Sequence, residues 1–434
     1  MACYRGGVEK ASLWQYVSFR RLLGSTLAND VAQSMAYIVV PLTVLVNGAS
    51  ASIAGLVTAI VAATGILSQI FSGVIADRFN SGKLIRVSSL IQMSCWVSLA
   101  LLQSAGHNTV VATAVLASVA AAFASVTVPS EHSIIQKILP QELYAHANGV
   151  TQGREAAASL LGGPFAGLVF AVNHVATYVV QSLCHVFAAV LVPAVKSQPV
   201  EVAADASGLL DELKSGFRFV WNDSSLRAIV ATASIINLPL AMMPIIMISY
   251  FEKSSYSPML IGLYMSTMGL GIFLGSFAAG RILDRFKPII VGTVTIIALT
   301  LSMFATAFVY GNFVLSCVVF FVGGLLLPAF NSLIASYTMT VTPEHLIGRV
   351  VAASGVPGMI FMPLGSYLGG LILDSFGIVI ALMCASIIAG VSMFPLFLSP
   401  DFTKWVILLS RLLARIRLFR GVLAIVALEI LNRH

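Results

Sequence analysis

Charged residues are scarce in this sequence, and their scarcity excludes most classes of protein. Only 9% of the 434 residues are Asp, Glu, Lys or Arg, and 58% are hydrophobic, whereas about 25% charged residues are usual in soluble domains. So few polar groups could not cover the surface of a soluble chain, and a disordered chain would carry more charge and less hydrophobicity. A membrane protein remains, since about 20 apolar residues cross a bilayer and about a dozen such segments would occupy the chain.

Clustered cysteines and the motifs of common enzymes are also missing. The five cysteines lie far apart, so the sequence predicts neither a disulfide framework nor a zinc site. It contains no P-loop, H-E-x-x-H or G-x-S-x-G pattern, and its polar segments are too short for a sensor domain. We therefore expect neither an enzyme nor a receptor, and no metal site.

Apolar segments recur between short polar breaks and predict an all-α membrane protein with twelve transmembrane helices. The predicted spans are 22–46, 52–75, 84–105, 109–129, 148–171, 175–195, 226–250, 259–282, 289–310, 313–336, 350–373 and 377–398. These runs are too long and too uniformly apolar for the alternating strands of a membrane barrel. The polar stretch 196–225 separates an N-terminal half, 1–195, from a C-terminal half, 226–400. The tail 401–434 is basic and amphipathic, so we expect it to lie on the inner leaflet.

The basic residues predict the orientation of these helices. With both termini in the cytoplasm, all of the 24 Lys and Arg residues except Lys253 fall on the cytoplasmic side, as the positive-inside rule requires. This explains the net charge of +7, and no nucleic acid partner is expected. The first apolar segment lacks a signal-peptide cleavage pattern and is predicted to be a retained span. We expect a multi-pass protein of the inner, or plasma, membrane.

A short motif, G-x-x-x-D-R-F, occurs in both halves. Its residues are Gly73, Asp77, Arg78 and Phe79 after the second span, and Gly280, Asp284, Arg285 and Phe286 after the eighth. Glycine permits close helix approach, and an aspartate can accept hydrogen bonds from a helix N-terminus or pair with a basic residue. We interpret the motif as a gating latch; the alternative is a solvated turn that follows the positive-inside rule.

These residues resemble the major facilitator superfamily, whose second loop carries G-x-x-x-D-R-x-x-x-x-K. Gly73, Asp77, Arg78 and Lys83 match that pattern. The resemblance implies two six-helix halves that move a small molecule across the bilayer by alternating access. It implies a monomer driven by the proton motive force, with no cofactor.

Three further segments resemble the enterobactin-exporter-like branch, which includes macrolide-efflux proteins. They are Phe19-Arg20 with the polar stretch that follows it to Asn29-Asp30, Leu213–Phe219 and Thr342–Val350. This resemblance favours an exporter but is not specific for a substrate. We expect a proton-coupled exporter of a small amphipathic molecule, such as a siderophore or a drug. The alternative is an uptake symporter or facilitator for a small nutrient or lipid.

The fifth span contains part of an antiporter motif, G-x-x-x-G-P-x-x-G-G. Gly163, Pro164 and Gly167 match it, while Ser159 and Leu168 replace two of its glycines. A Gly-Pro pair removes a backbone hydrogen bond and makes a bendable, closely packed helix. The resemblance favours an exporter, and a common membrane-helix kink is the alternative.

Asp30 is the clearest acid inside a predicted span. Thr26, Asp30, Gln33, Ser34 and Tyr37 share one face of the first helix by their spacing. In the resembled fold this helix lines the central cavity, so Gln33, Ser34 and Tyr37 are expected to contact substrate. Because desolvation disfavours a charged carboxylate, Asp30 is a candidate proton carrier or cation site. The alternative is an aspartate bonded to a neighbouring helix, with no role in coupling.

Three further residues are candidates for the transport path. Asn237, in the seventh span, is expected to face the cavity by the same resemblance. Arg154 and Glu155 open the predicted fifth span and form a candidate cytoplasmic gate with Glu131 or His132. Ordinary interfacial charges are the alternative for this group.

Overall fold

The computed structural model describes residues 13–195, 206–286, 288–343 and 346–397. These residues form helices and connecting turns, with no strand among them, so the predicted all-α class is confirmed. Eleven helical segments in the described ranges are long and apolar enough to cross a membrane. The last of them, Arg349–Phe397, covers the eleventh and twelfth predicted spans together.

The first seven helices begin where polar side chains interrupt the apolar sequence. They are α1 (Val17–Val46), α2 (Ala51–Arg78), α3 (Ser81–Ser104), α4 (Val110–Ala124), α5 (Thr127–Ile138), α6 (Tyr144–Val172) and α7 (His174–Leu191). Short 3-10 turns lie at Leu13–Gln15 and Gln141–Leu143. Ser50, Asn80 and Thr109 cap α2, α3 and α4, since the side chain of each accepts a backbone N–H of the first turn.

Eight further helices follow residue 205. They are α8 (Ala206–Asn222), α9 (Ser224–Lys253), α10 (Pro258–Arg285), α11 (Pro288–Val309), α12 (Phe313–Gly324), α13 (Leu327–Val341), α14 (Ile347–Val391) and α15 (Phe394–Phe397). Within α14, Gly377 has φ 80° and ψ 174°, a conformation that glycine adopts without steric cost. This break separates the two predicted spans that α14 contains.

Two predicted boundaries between the fourth and fifth spans are wrong. The fourth span does not end at residue 129, because helical structure continues through α5 and Val110–Ile138 forms one apolar segment. The helix of the fifth span, α6, begins at Tyr144, so Arg154 lies well inside it and not at its opening. Polar residues do not mark the helix ends here: counted over the whole residue, Glu131 is only 4% exposed and Arg154 only 7%. They stay inside helices because they bond to one another.

Two compact units divide the chain. The first contains the described residues up to Ala203 with Pro244–Leu270 and Ser366–Ile378, and the second contains those of Ala204–Met243, Gly271–Gly365 and Val379–His434. The boundaries predicted from the sequence, with halves 1–195 and 226–400 around a linker 196–225, stay a prediction. The predicted tail, 401–434, lies outside the described residues.

Close backbone contacts position helices inside the first unit. Gly370 of α14 lies against the carbonyl oxygen of Ala51, and Gly55 of α2 lies against that of Ser366. A side chain at either glycine would overlap the facing backbone. Helices in a bilayer gain little from burying apolar surface, so small residues that allow such approach stabilise their packing.

Candidate functional site

A buried arginine connects three helices of the first unit. Nε of Arg154, on α6, lies 2.7 Å from Oδ2 of Asp30 on α1. Its Nη1 and Nη2 donate to the two carboxylate oxygens of Glu131, on α5, at 2.6 and 3.1 Å. Nη1 also contacts Oγ1 of Thr26. A guanidinium held at both ends in this way fixes the relative positions of its partners, because its donors lie in one rigid plane.

Exposure differs sharply among the charged side chains of this cluster. Arg154 and Glu131 are each 5% exposed, whereas Asp30 is 25% and Glu155 50% exposed. Glu155 is also bound weakly, with Oε1 3.4 Å from Nη2 of Arg154. The Arg154–Glu131 pair is therefore the buried part of the cluster, and Asp30 is an accessible carboxylate directly beside it.

The cluster carries more negative than positive charge. Among the described side chains, three carboxylates, those of Asp30, Glu131 and Glu155, lie within ion-pair distance of the Arg154 guanidinium. One positive and three negative groups leave an excess of two negative charges when all are ionised. Such an excess inside a transmembrane helix bundle is costly. A proton or another cation at the accessible carboxylate reduces that cost.

Part of the polar face predicted for the first helix belongs to this cluster. Thr26 and Asp30 both contact Arg154. Further along α1, Gln33 is exposed, Tyr37 is 52% exposed, and the Ser34 side chain lies against Gly162 of α6. The roles of Gln33, Ser34 and Tyr37 in substrate binding stay predictions.

The other predicted path residues lie as follows. Asn237 lies on α9, in the second unit, and packs against α14: a methyl group added at Gly358 would come within 2.6 Å of its Nδ2. Its role in substrate binding stays a prediction. For the candidate gate of Arg154 and Glu155, the structure contains the expected contact to Glu131, while His132 is exposed. The gating role stays a prediction.

The two copies of the G-x-x-x-D-R-F motif lie at the C-terminal ends of α2 and α10. Among the described atoms, none lies within 4 Å of a side-chain position at Gly73 or at Gly280. Within the described part of the chain no other helix comes close to these two glycines, so the close approach predicted for them is not observed there. Arg78, Lys83, Asp284 and Arg285 are exposed. The side chain of Asp77 lies outside the described part of the chain, and the latch stays a prediction.

The antiporter-like residues form a tight contact between α6 and α10 in the first unit. A methyl group at Gly163 would come within 3.0 Å of the Gly262 carbonyl oxygen, and one at Gly167 would overlap the backbone of Pro258. Pro164 lies inside the same helix. The expected close packing is present, while the exporter role that the resemblance implies stays a prediction.

A second polar contact joins the beginning of α2 to α14. Oδ2 of Asp374 accepts hydrogen bonds from the backbone N–H and the hydroxyl of Ser52, each at 2.6 Å. Nζ of Lys253, at the end of α9, lies 3.4 Å from Oδ1. The first N–H groups of a helix have no partner within it and favour a negative charge. The Asp374 carboxylate therefore supplies the hydrogen-bond acceptor and the negative charge that the first turn of α2 lacks.

The sequence predicts Glu131 only as a candidate partner of Arg154, and it predicts no functional role for Asp374. The sequence does contain a pattern that indicates the burial of Glu131. Ser130, Ile134 and Ile135, which are all buried, continue the helical spacing past the predicted end of the fourth span. Nothing in the sequence brings Asp374 together with Ser52, because the contact joins distant segments.

These helices and their internal polar cluster are those of a polytopic membrane transporter. The sequence profile of the Major Facilitator Superfamily matches residues 22–360. That match covers most of the chain, which therefore belongs to this superfamily of transporters.

Solved transporter structures share the fold at low sequence identity. A bacterial homologue of the human lysosomal transporter Spinster, inward-facing and unoccupied, superposes with a TM-score of 0.73 at 14% identity, covering 91% of this chain and 98% of its own. A point mutant of the nucleoside transporter NupG gives 0.69 at 14%, covering 87% and 98%. A D-xylose-proton symporter gives 0.65 at 12%, covering 90% and 98%. Among curated proteins, no sequence relative matches this chain.

Proposed function

We propose that this protein is a proton-coupled exporter of a small amphipathic molecule, with Asp30 as the proton-binding carboxylate. The observation that carries the proposal is the position of Asp30 beside Arg154. The carboxylate contacts Nε of the arginine at 2.7 Å and is still 25% exposed. It can therefore exchange a proton with water and also respond to the charge of the buried pair behind it.

Charge accounts for how proton binding at Asp30 couples to helix movement. When Asp30 is ionised, Arg154 links α1 to α6 through the 2.7 Å contact and α5 to α6 through Glu131. Protonation removes the negative charge of Asp30, while the bidentate pair with Glu131 persists. The link between α1 and α6 weakens, and these helices gain freedom to shift. Deprotonation restores the link.

The proton motive force supplies the energy in this scheme. One elementary charge that crosses 100 mV releases about 2.3 kcal/mol, enough for roughly a fiftyfold solute gradient per proton. In the proposed orientation both termini are cytoplasmic, because that places every Lys and Arg on the inner side except Lys253 and Arg154, which is buried inside α6. The proposed location is the inner, or plasma, membrane.

Export, as opposed to uptake, is supported by the antiporter-like residues of α6. Gly163 and Gly167 pack directly against α10. The likeness of Phe19-Arg20, Leu213–Phe219 and Thr342–Val350 to the exporter branch adds to this support. A siderophore or a drug fits a path that combines the apolar and polar side chains of α1.

The substrate path that we propose follows α1 beyond Asp30. Gln33 and Tyr37 are exposed on successive turns of that helix, and both can donate and accept hydrogen bonds. The Tyr37 ring adds apolar surface. Asn237 of α9 is a further proposed contact. An amphipathic solute would use both kinds of surface.

Comparison of solutes inside and outside cells with and without the gene tests the direction of transport. We expect lower accumulation of the substrate in expressing cells, reversed by an uncoupler. Higher accumulation in expressing cells would contradict export and favour the proton symporter.

Vesicles loaded with the solute identified in that way test the coupling. A pH gradient should drive flux by the wild-type protein but not by Asp30→Asn, at equal protein content. Glu142→Gln is the matched control, since Glu142 is an exposed carboxylate in the Gln141–Leu143 turn. Unchanged gradient-driven flux in Asp30→Asn excludes the proton assignment.

A further inference from the structure

Helix α8 immediately precedes a membrane span. It ends at Asn222, and α9 begins at Ser224. Asp223, the single residue between them, caps α9, because its Oδ1 accepts the N–H of Leu226 at 2.7 Å. Because only one residue separates it from a span, the C-terminal end of α8 lies at the membrane surface.

One face of α8 is packed against other helices of the second unit. Gly216 lies against the carbonyl oxygen of Arg349, so that the two backbones touch. Val220 is buried in a cluster with Leu226, Val350 and Ala353. These contacts determine which face of α8 is turned outward.

The outward face carries alternating cationic and aromatic side chains. Lys214, Phe217, Arg218 and Trp221 are spaced i, i+3, i+4 and i+7 and therefore form one stripe. All four are exposed, with Trp221 at 70%. Arg227 of α9 extends the stripe: its guanidinium lies 5.7 Å from the centre of the Trp221 ring, and its Nη1 donates to the Trp221 carbonyl oxygen at 2.7 Å.

A cavity lies along the same helix. Its volume is about 610 Å³, and it is lined by Lys214, Ser215, Arg218, Phe219, Asn222 and Leu346. The lining therefore combines two cations, a hydroxyl and an amide with two apolar side chains. This combination suits a phosphate group that carries an attached hydrocarbon chain, since the phosphate pairs with the cations and the chain lies on the apolar residues.

We propose that the stripe and cavity of α8 form a binding site for an anionic phospholipid of the cytoplasmic leaflet. Lys214 and Arg218 hold the phosphate, and Phe217 and Trp221 lie at the level of the glycerol and the first acyl carbons. Aromatic residues are enriched at that level of the bilayer. The cytoplasmic leaflet is the anionic one, and the polar stretch that contains α8 is predicted on that side.

Lipid retention by the purified full-length protein tests this site. After exchange into phosphatidylcholine nanodiscs, phosphatidylglycerol is titrated in and the bound lipid is counted by native mass spectrometry. The double variant Lys214→Gln/Arg218→Gln should bind phosphatidylglycerol about 30-fold more weakly, since it loses two surface charges. The control Arg20→Gln/Lys137→Gln removes two other exposed cations and should bind like the wild type.

Further measurements distinguish a lipid site from a site that binds any anion. Trp221→Ala, which leaves the charges intact, should also weaken binding, and its effect remains readable if the double variant fails to fold. Inorganic phosphate at equal concentration should not displace the lipid. Displacement by phosphate, equal retention of phosphatidylcholine and phosphatidylglycerol, or unchanged binding in Trp221→Ala each overturns the proposal. These readouts require no transport and are independent of the proposed function.

Discussion

Asp30 and Glu131 lie on different helices and share one arginine. Nε of Arg154 is 2.7 Å from Oδ2 of Asp30, while its two terminal nitrogens bond both oxygens of Glu131. The two acids are not equivalent. Glu131 is buried and doubly bonded, so it has little access to water, whereas Asp30 is partly exposed and singly bonded. Glu131 therefore positions the arginine, and Asp30 is the group that can change charge.

Removal of Arg154 should destabilise the protein more than removal of the whole pair. In Arg154→Gln, Glu131 stays buried without its partner, which costs about 3–5 kcal/mol. In Arg154→Gln/Glu131→Gln two neutral amides replace the ion pair, and we expect most of the loss to be recovered. The apparent unfolding temperature in detergent measures both changes. Equal destabilisation of the single and double variants would contradict the assigned pairing.

The residues that α1 contributes to this site could be predicted from the sequence, whereas those of the other helices mostly could not. The spacing of Thr26 and Asp30 placed them on one face, and both do contact Arg154. The sequence predicts Arg154 at the opening of the fifth span, because charged residues usually mark the ends of spans, whereas it lies well inside α6. A charge can lie deeper when partners from other helices compensate it, and spacing along one helix does not contain that information.

The fold itself was predictable because bilayer thickness imposes a length on every apolar segment. The break at Gly377 agrees with the predicted gap between residues 373 and 377, although the helix otherwise runs on from Ile347 to Val391. The contact of Asp374 with Ser52 could not be predicted. It depends on how distant helices pack, and that packing depends on contacts such as those of Gly55 and Gly370.

Substitution of Gly167 should disrupt the contact between α6 and α10. Valine at this position would overlap the backbone of Pro258, and overpacking of this kind costs about 1–3 kcal/mol. Gly153→Val is the matched control, because Gly153 lies on the same helix and no described atom lies within 4 Å of its side-chain position. The apparent unfolding temperature should fall clearly only for Gly167→Val. Equal decreases for the two variants would show that helix propensity, and not the contact, decides the outcome.

Neutralisation of Asp374 should loosen the first turn of α2. In the structure its Oδ2 accepts the Ser52 N–H at 2.6 Å, and a charge at a helix N-terminus contributes up to about 1 kcal/mol at exposed sites. In Asp374→Asn we expect hydrogen–deuterium exchange at Ser52 to become about fivefold faster. Glu252→Gln, which neutralises the acid next to Lys253, is the control. Unchanged exchange at Ser52 in Asp374→Asn would show that the carboxylate charge contributes nothing there.

The repeated G-x-x-x-D-R-F motif should affect the rate of transport more than the affinity for substrate. Asp284 and Arg285 are exposed at the end of α10, and Arg78 is exposed at the end of α2, so the described side chains of the motif are not part of a packed core. If Asp77 and Asp284 stabilise one state of the transport cycle, Asp77→Asn and Asp284→Asn lower the maximal rate and leave the KM for substrate nearly unchanged. Substrate-concentration series in vesicles separate the two parameters. A raised KM at an unchanged maximal rate would assign these acids to substrate binding, whereas no change in either parameter would leave the motif as a solvated turn whose basic residues only orient the helices.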